Sequence, residues 1–329
     1  MNAGVDAGLR DDLLKTVDRI AEAECPKAVR ESAEAGEWPA KLWRALEETG
    51  LTRAALPESA GGAGLAFEDA MLVLRRTAYH ALPVPLAETM LAGRLLVAAG
   101  MEVPDGPLTV AEAGSAKRVP WGQQCAHVIV VGAEDVGLAS AVKVNAVEKN
   151  LAGEPRADIE ISGTTSRKLP GATERFKAEG ALVRSVQMAG ALERALEYAL
   201  AYANERVQFG RPIGKFQAVQ HLLALQAAQT AAAAAAVDAA VGASAAAADV
   251  FAVSVAKSRV GEAAGRAAEI AHQVHGAMGF THEHNLHYST RRLWSWRDEF
   301  GNEAYWQTRL GREIAARGAD ALWPMLTRL

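Results

Sequence analysis

Asn204-Glu-Arg-Val-Gln-Phe-Gly-Arg-Pro-Ile-Gly-Lys-Phe-Gln-Ala-Val-Gln220 is the stretch on which the fold turns. Upstream of it, Leu182, Val186, Ala189, Leu192 and Leu196 lie on one helical stripe. That helix is expected to run on to Arg206 and to stop before Gly210 and Pro212. Downstream, Phe216, Val219, Leu222 and Leu223 open another helix near Lys215. The corner between the two projects Arg206, Gln208 and Phe209. A guanidinium is a rigid fork of donors suited to a pyrophosphate, and an aromatic ring beside it can stack on a flat ring. Taken alone, the stretch also reads as an ordinary inter-helix turn with a surface arginine.

Outward from this corner, residues 227–248 are nearly all alanine and lead into Val250, Phe251, Val253 and Val255. Alanine is the best helix former, so one long helix packed closely through small side chains is expected. Alanine is about a fifth of the chain, well above ordinary usage. Between Pro104 and Pro170 the character changes: prolines and glycines multiply and β-type runs appear. Ala126–Val131 reads as a buried strand, Ala141–Val144 alternates, and Asp158–Ile161 alternates with Ile159 and Ile161 on one face. The first hundred residues are again helical, with stripes at Leu13/Val17/Ile20, Leu42/Trp43/Leu46 and Phe67/Met71/Leu74, and a further helix from about Ala87 to Ala99. The expected fold class is mainly α with an inserted small β domain: 1–103 helical, 104–170 β, and 171–329 a helical bundle.

Composition limits the function classes. The 329 residues carry 35 basic and 39 acidic side chains, a near-balance that speaks against a nucleic-acid partner. No uninterrupted apolar run reaches the ~18 residues of a membrane span, and Met1–Arg10 lacks a signal-peptide pattern. The expectation is a cytoplasmic protein without a membrane partner. Two cysteines make neither a disulfide framework nor a zinc cluster. Five histidines gather between His272 and His287, but no cysteine lies near, and a polar face is preferred over a metal site. Gly61-Gly-Ala-Gly64 lacks the Lys-Ser/Thr of a phosphate loop and reads as a turn.

The Arg206–Gln217 stretch resembles the acyl-CoA dehydrogenase signature R-x-x-F-G-x-P-[IL]-x-x-F-Q. Gln273-Val-His-Gly-Ala-Met-Gly-Phe280 is similar to the family's Q-x-x-G-G-x-G-[FY] segment, with Ala277 in place of the second glycine. A third match runs from Trp43 through Ala55-Leu-Pro-Glu58 to Gly64. The resemblance covers nearly the whole chain and implies the acyl-CoA dehydrogenase fold: N-terminal helical domain, β domain, C-terminal four-helix bundle. It implies FAD as cofactor, an acyl-CoA thioester as substrate, and an electron-transfer flavoprotein or similar acceptor. By the same resemblance Arg206 contacts the flavin pyrophosphate of a neighbouring subunit. Gln208, Phe209, Ile213 and Gln217 line its adenosine part, and Gln273, Gly276 and Ala277 approach from another chain. Small residues suit a close approach of backbone to cofactor.

The family needs a carboxylate base that takes the α-proton of the thioester. Most members place it in a Y-E-G-T-x-E-x-Q segment. Here the corresponding stretch is Trp296-Arg-Asp-Glu-Phe-Gly-Asn-Glu-Ala-Tyr-Trp306, and aligning Gly301 puts Phe300 at the base position. Glu299, one residue early, is the candidate base; its other reading is a solvated or salt-bridged glutamate beside Arg297. Some members carry the base about thirty residues upstream of F-G, which lands on Gly180 beside Glu179. The family's middle T-E-P-x-x-G-S-D segment has no counterpart, Leu108–Gly114 being the nearest stretch. These losses fall together on the substrate side. The pattern is similar to the small subunits of heteromeric α2β2 acyl-CoA dehydrogenases of steroid and bile-acid side-chain degradation. Three functions stay open: a partner subunit completing an FAD site beside a larger related subunit, a self-sufficient homomer with Glu299 as base, and a structural partner without cofactor. All three imply an oligomer, dimer or tetramer.

Overall fold

The computed structural model describes residues 7–327. The chain divides into two compact units, 1–183 and 184–329, and the division falls within one helix. The first unit opens with α1 (Ala7–Glu24), α2 (Lys27–Ala35), α3 (Ala40–Glu48), α4 (Phe67–Tyr79) and α5 (Leu86–Ala98). The apolar stripes read from the sequence face inward: Val17 and Ile20 on α1, Leu42, Trp43 and Leu46 on α3, and Phe67, Met71 and Leu74 on α4 are buried. α2 lies beyond the stripes singled out from sequence. It stops at Gly36, whose φ of 115° lets its N–H reach the carbonyls of Ser32 and Ala33.

The β region is a five-stranded sheet. Its strands are β1 (Leu108–Glu112), β2 (Val119–Pro120), β3 (His127–Val131), β4 (Asp135–Lys149) and β5 (Pro155–Lys168), in the order β1-β3-β4-β5-β2. β1 runs parallel to β3, and the other neighbours are antiparallel. The short alternating runs read from sequence are inner portions of one long β4–β5 hairpin, with Val142 opposite Ile161 and Val144 opposite Ile159. Ala111, Val119, Val128, Ala157 and Ile159 form the sheet's core. Each long strand is buried at its start and exposed toward its end, so the exposed half of β4 pairs with the buried start of β5.

α6 (Ala172–Glu205) begins the bundle. The second unit continues with a short hairpin, β6 (Val207–Gln208) and β7 (Arg211–Pro212), then α7 (Gln217–Ala243), α8 (Val250–His275), α9 (Leu286–Asp298), α10 (Glu303–Arg317) and α11 (Ala319–Leu326). The single helix expected through the alanine run is broken. α7 ends at Ala243, and α8 starts at Val250, where the Asp249 carboxylate accepts from the Ala252 N–H at 2.8 Å. Asp249 N–H in turn donates to Ser244 Oγ at 3.0 Å. Alanine propensity carries no register of its own, so one good N-cap decides where the chain turns back. By length and apolarity alone α7 is able to cross a membrane. It packs instead along α8 through a stripe that includes Gln226, Thr230, Ala233 and Val237.

Candidate functional site

The corner quoted from the sequence is a two-residue hairpin. Val207 pairs with Pro212 and Gln208 with Arg211, leaving Phe209 and Gly210 at the tip with φ of 50° and 78°. Positive φ at both tip residues is the turn that matches strand twist. Glycine takes it freely, whereas a phenylalanine there is strained by about 1 kcal/mol. The strain holds an aromatic ring in the open: Phe209 is 94% exposed. Beneath it lies Phe216, 6.2 Å away edge-on, with the Arg211 guanidinium 4.3 Å above the Phe216 ring.

Arg206 is exposed, and among the described residues its guanidinium has no carboxylate partner. Its backbone is fixed at both ends, since its N–H donates to Tyr202 O and its carbonyl accepts from the Ile213 N–H, each at 2.8 Å. Gln208 and Gln217 are exposed, Gln208 Nε2 donating to Val207 O at 2.8 Å. Ile213 is half-buried. It packs inward on the cluster of Ala199, Ala203, Ile270 and Val274, so it braces the corner from below.

The second predicted segment lies at the end of α8. Gly276 has φ 57° and ψ −138°, a conformation essentially restricted to glycine, and a Cβ there would meet nothing within 4 Å. Gln273 and Ala277 are exposed. Ala277 has negative φ, so the replacement of the family glycine at that position carries no backbone strain. The Ala199–Ile270–Val274 cluster ties the end of α6 to the end of α8, which places both segments at the same end of the bundle. An unpaired guanidinium, an open aromatic ring and a bare glycine backbone fit a ligand that brings a pyrophosphate and a flat ring.

The carboxylates behave differently. Glu299, at the end of α9, accepts from Arg184 Nε at 2.7 Å, with the two side chains 21% and 3% exposed. Arg184 also donates to Gln187 Oε1 at 2.5 Å and lies 5.8 Å from the Trp296 ring. Arg297, the neighbour named as the sequence-level partner of Glu299, pairs with Glu303 instead. At the aligned base position Phe300 has φ 57°, and Trp306 Nε1 donates to its carbonyl at 3.1 Å. Buried Lys257 closes the end of α9 from below, donating to the carbonyls of Trp296 at 3.2 Å and Arg297 at 2.6 Å. Burial pulls its ammonium down to about 8 against the pull of Glu299, Glu303 and Asp298. Glu179 is held by two arginines: Arg94 Nε at 2.6 Å and Arg175 Nε at 3.1 Å, with Arg94 and Glu179 only 8% and 2% exposed. Arg94 also stacks over the Phe67 ring at 4.1 Å.

Arg94, Arg184 and Lys257 were not singled out from the sequence. The signal was available, because each is a lone cation at an inward position of an otherwise apolar helical stripe. The histidines pack against aromatic rings and against one another. Tyr202 and His275 are 4.6 Å apart at 27°, His275 and His284 are 4.5 Å apart, and His272 lies between Phe280 at 4.6 Å and Trp294 at 5.6 Å. Burial lowers the proton affinity of His272, His275 and His284. Among the described residues no three His, Cys, Asp or Glu side chains are grouped to hold a metal.

Comparison with known proteins places this geometry in a family. Residues 10–103 match the acyl-CoA dehydrogenase N-terminal domain and residues 172–309 the acyl-CoA dehydrogenase C-terminal domain. The acyl-CoA dehydrogenase IpdE2 of Mycolicibacterium smegmatis is 30% identical over 84% of this chain and 88% of its own length. The IpdE2 of Mycobacterium tuberculosis is 28% identical over 83% and 86%. Among solved structures, a steroid ACAD of the Tcur3481–Tcur3483 pair superposes with a TM-score of 0.82 at 24% identity, covering 95% of this chain and 99% of that one. The ChsE4–ChsE5 complex of Mycobacterium tuberculosis gives 0.82 at 24%, covering 94% and 98%. The chain belongs to the acyl-CoA dehydrogenase family, oxidoreductases that act on acyl-CoA thioesters.

Proposed function

We propose that this chain is the partner subunit of a heteromeric acyl-CoA dehydrogenase and that it completes an FAD site across the interface with a larger related subunit. The observation that carries the reading is the pairing asymmetry. Both carboxylates to which the family pattern points, Glu179 and Glu299, are engaged by buried arginines, while Arg206 has no carboxylate partner among the described residues and Phe209, Gln273, Gly276 and Ala277 are exposed. A carboxylate locked to a buried guanidinium is a poor general base, because taking a proton leaves the guanidinium charge uncompensated. The α-proton of the thioester is therefore assigned to a carboxylate of the larger subunit.

Bound FAD supplies the acceptor for the β-hydrogen and its two electrons, which pass on to an electron-transfer flavoprotein or similar acceptor. This chain's share is positioning. Arg206 offers parallel donors to the pyrophosphate, Gln208, Phe209 and Gln217 face the adenosine part, and Gln273, Gly276 and Ala277 present backbone and amide. The outward face of α7, mostly alanine, is read as the surface on which subunits meet. The solved relatives include a steroid ACAD and a two-protein complex, which supports a bulky ring-bearing acyl group and a heteromer.

Expression tests the reading. Purified alone, the chain is expected to bind no stoichiometric FAD and to leave added flavin oxidised in the presence of acyl-CoA. Co-expressed with its larger homologue, it is expected to yield a flavin-containing complex. Stoichiometric FAD in the lone chain, bleached by an acyl-CoA, would overturn the proposal in favour of a self-sufficient enzyme.

A further inference from the structure

The two flavin-facing segments belong to different helices, yet one ring contact joins them. Tyr202 lies in the last turn of α6, and its carbonyl accepts from the Arg206 N–H at 2.8 Å. His275 is the last residue of α8 and directly precedes Gly276. Their rings stack at 4.6 Å and 27°. His284 meets His275 edge-on at 4.5 Å and also lies 6.2 Å from Tyr202, and Tyr198 supports His284 at 5.3 Å. His275 is 2% exposed. Its Nδ1 donates to Ala271 O at 2.7 Å, which leaves Nε2 as a buried lone pair with no partner.

We propose that the Tyr202–His275 stack, closed edge-on by His284, is a positioning device that holds the Arg206 corner and the Gly276 turn in mutual register for the flavin. The device has a built-in acid limit. A proton on Nε2 adds a buried charge and a donor that finds no acceptor. The groups facing His275 are His272 on its own helix, Tyr202 from α6 and His284 from the loop before α9, with Tyr198 of α6 and His287 of α9 acting on His284. Burial sets the direction in each of the three imidazoles. The sign follows from linkage. Imidazoles that titrate below their ordinary value in the folded chain contribute stability that is fully present above about 6.5 and is lost as pH falls through the folded value.

The inference rests on the FAD reading, so its test has an arm that does not. Hydrogen exchange in the free full-length chain at pH 7.5 is compared for wild type, His275→Ala and His275→Phe. His275→Ala is expected to speed exchange at the 206–217 amides by about two- to ten-fold, the worth of one aromatic pair, although the substitution is on another helix. His275→Phe keeps the stack and is expected to restore wild-type exchange. Unchanged exchange in His275→Ala overturns the proposal. In the assembled complex, FAD retention of wild type is expected to fall as pH drops from 6.5 to 5, and the His275→Phe complex is expected to hold its flavin further into acid. Superimposable profiles overturn the acid limit. Should Arg206→Ala leave FAD content unchanged while the exchange result holds, the cofactor reading fails and the positioning contact stands.

Discussion

Two regions of this molecule carry the same kind of residue in opposite states. At the ends of α6 and α8, Arg206, Phe209 and Gln273 are exposed, and Arg206 has no carboxylate partner among the described residues. One residue from the positions where the family pattern places a base, Glu179 and Glu299 are each bound to an arginine that is nearly or fully buried. An unpaired exposed cation costs nothing in water and is ready for an anionic ligand, whereas a buried ion pair is already satisfied. On the proposed reading the difference separates fold from function: the carboxylates near the family's base positions serve structure, and the corner proposed to face the cofactor is open.

The sharpest way to break that contrast is to remove the buried carboxylates. Glu179→Ala leaves Arg94 without its main partner in a site under a tenth exposed, and a loss of about 3–5 kcal/mol in urea unfolding is expected. If stability is unchanged, Glu179 is not structural and becomes available as a base again. Glu299→Gln removes the charge facing Arg184, but the amide still accepts one bond and the site is partly wet. A loss of about 1–3 kcal/mol is expected in the chain alone, with turnover of the assembled complex retained. Normal stability with abolished turnover would restore Glu299 as base.

A finer test uses Lys257. Its ammonium titrates near 8 in the folded chain and at its ordinary 10.5 when unfolded. Between those values the unfolded chain binds more protons, so folding stability rises with pH. The stability difference between wild type and Lys257→Met is therefore expected to grow in favour of wild type from pH 8 to 10.5. A flat difference would show that the ammonium is not held in the buried site.

Much of this was legible in the sequence, for reasons that differ from element to element. The helical stripes of α1, α3 and α4 and the strand at His127–Val131 follow periodicity, and burial obeyed it. The Arg206–Gln217 corner was legible because Gly210 and Pro212 punctuate it. The break at Ser244–Asp249 was missed because propensity summed over alanines outweighed a single capping aspartate. The partner of Glu299 was missed for a different reason: Arg184 is 115 residues away, and sequence proximity favoured Arg297. Long-range pairing of buried charges leaves only a weak trace, a cation where the stripe calls for an apolar side chain. The stack of Tyr202 on His275 left none, since the two residues belong to motifs read separately.

The central claim is that this chain lends its open corner to a flavin shared with a larger subunit. It is tested most directly by the FAD affinity of the co-expressed complex carrying Arg206→Ala. Loss of a bidentate charge-assisted contact predicts about ten- to hundred-fold weaker FAD binding in a complex that still assembles at wild-type stoichiometry. Unchanged FAD affinity in that complex would contradict the account and leave a structural partner that touches no cofactor.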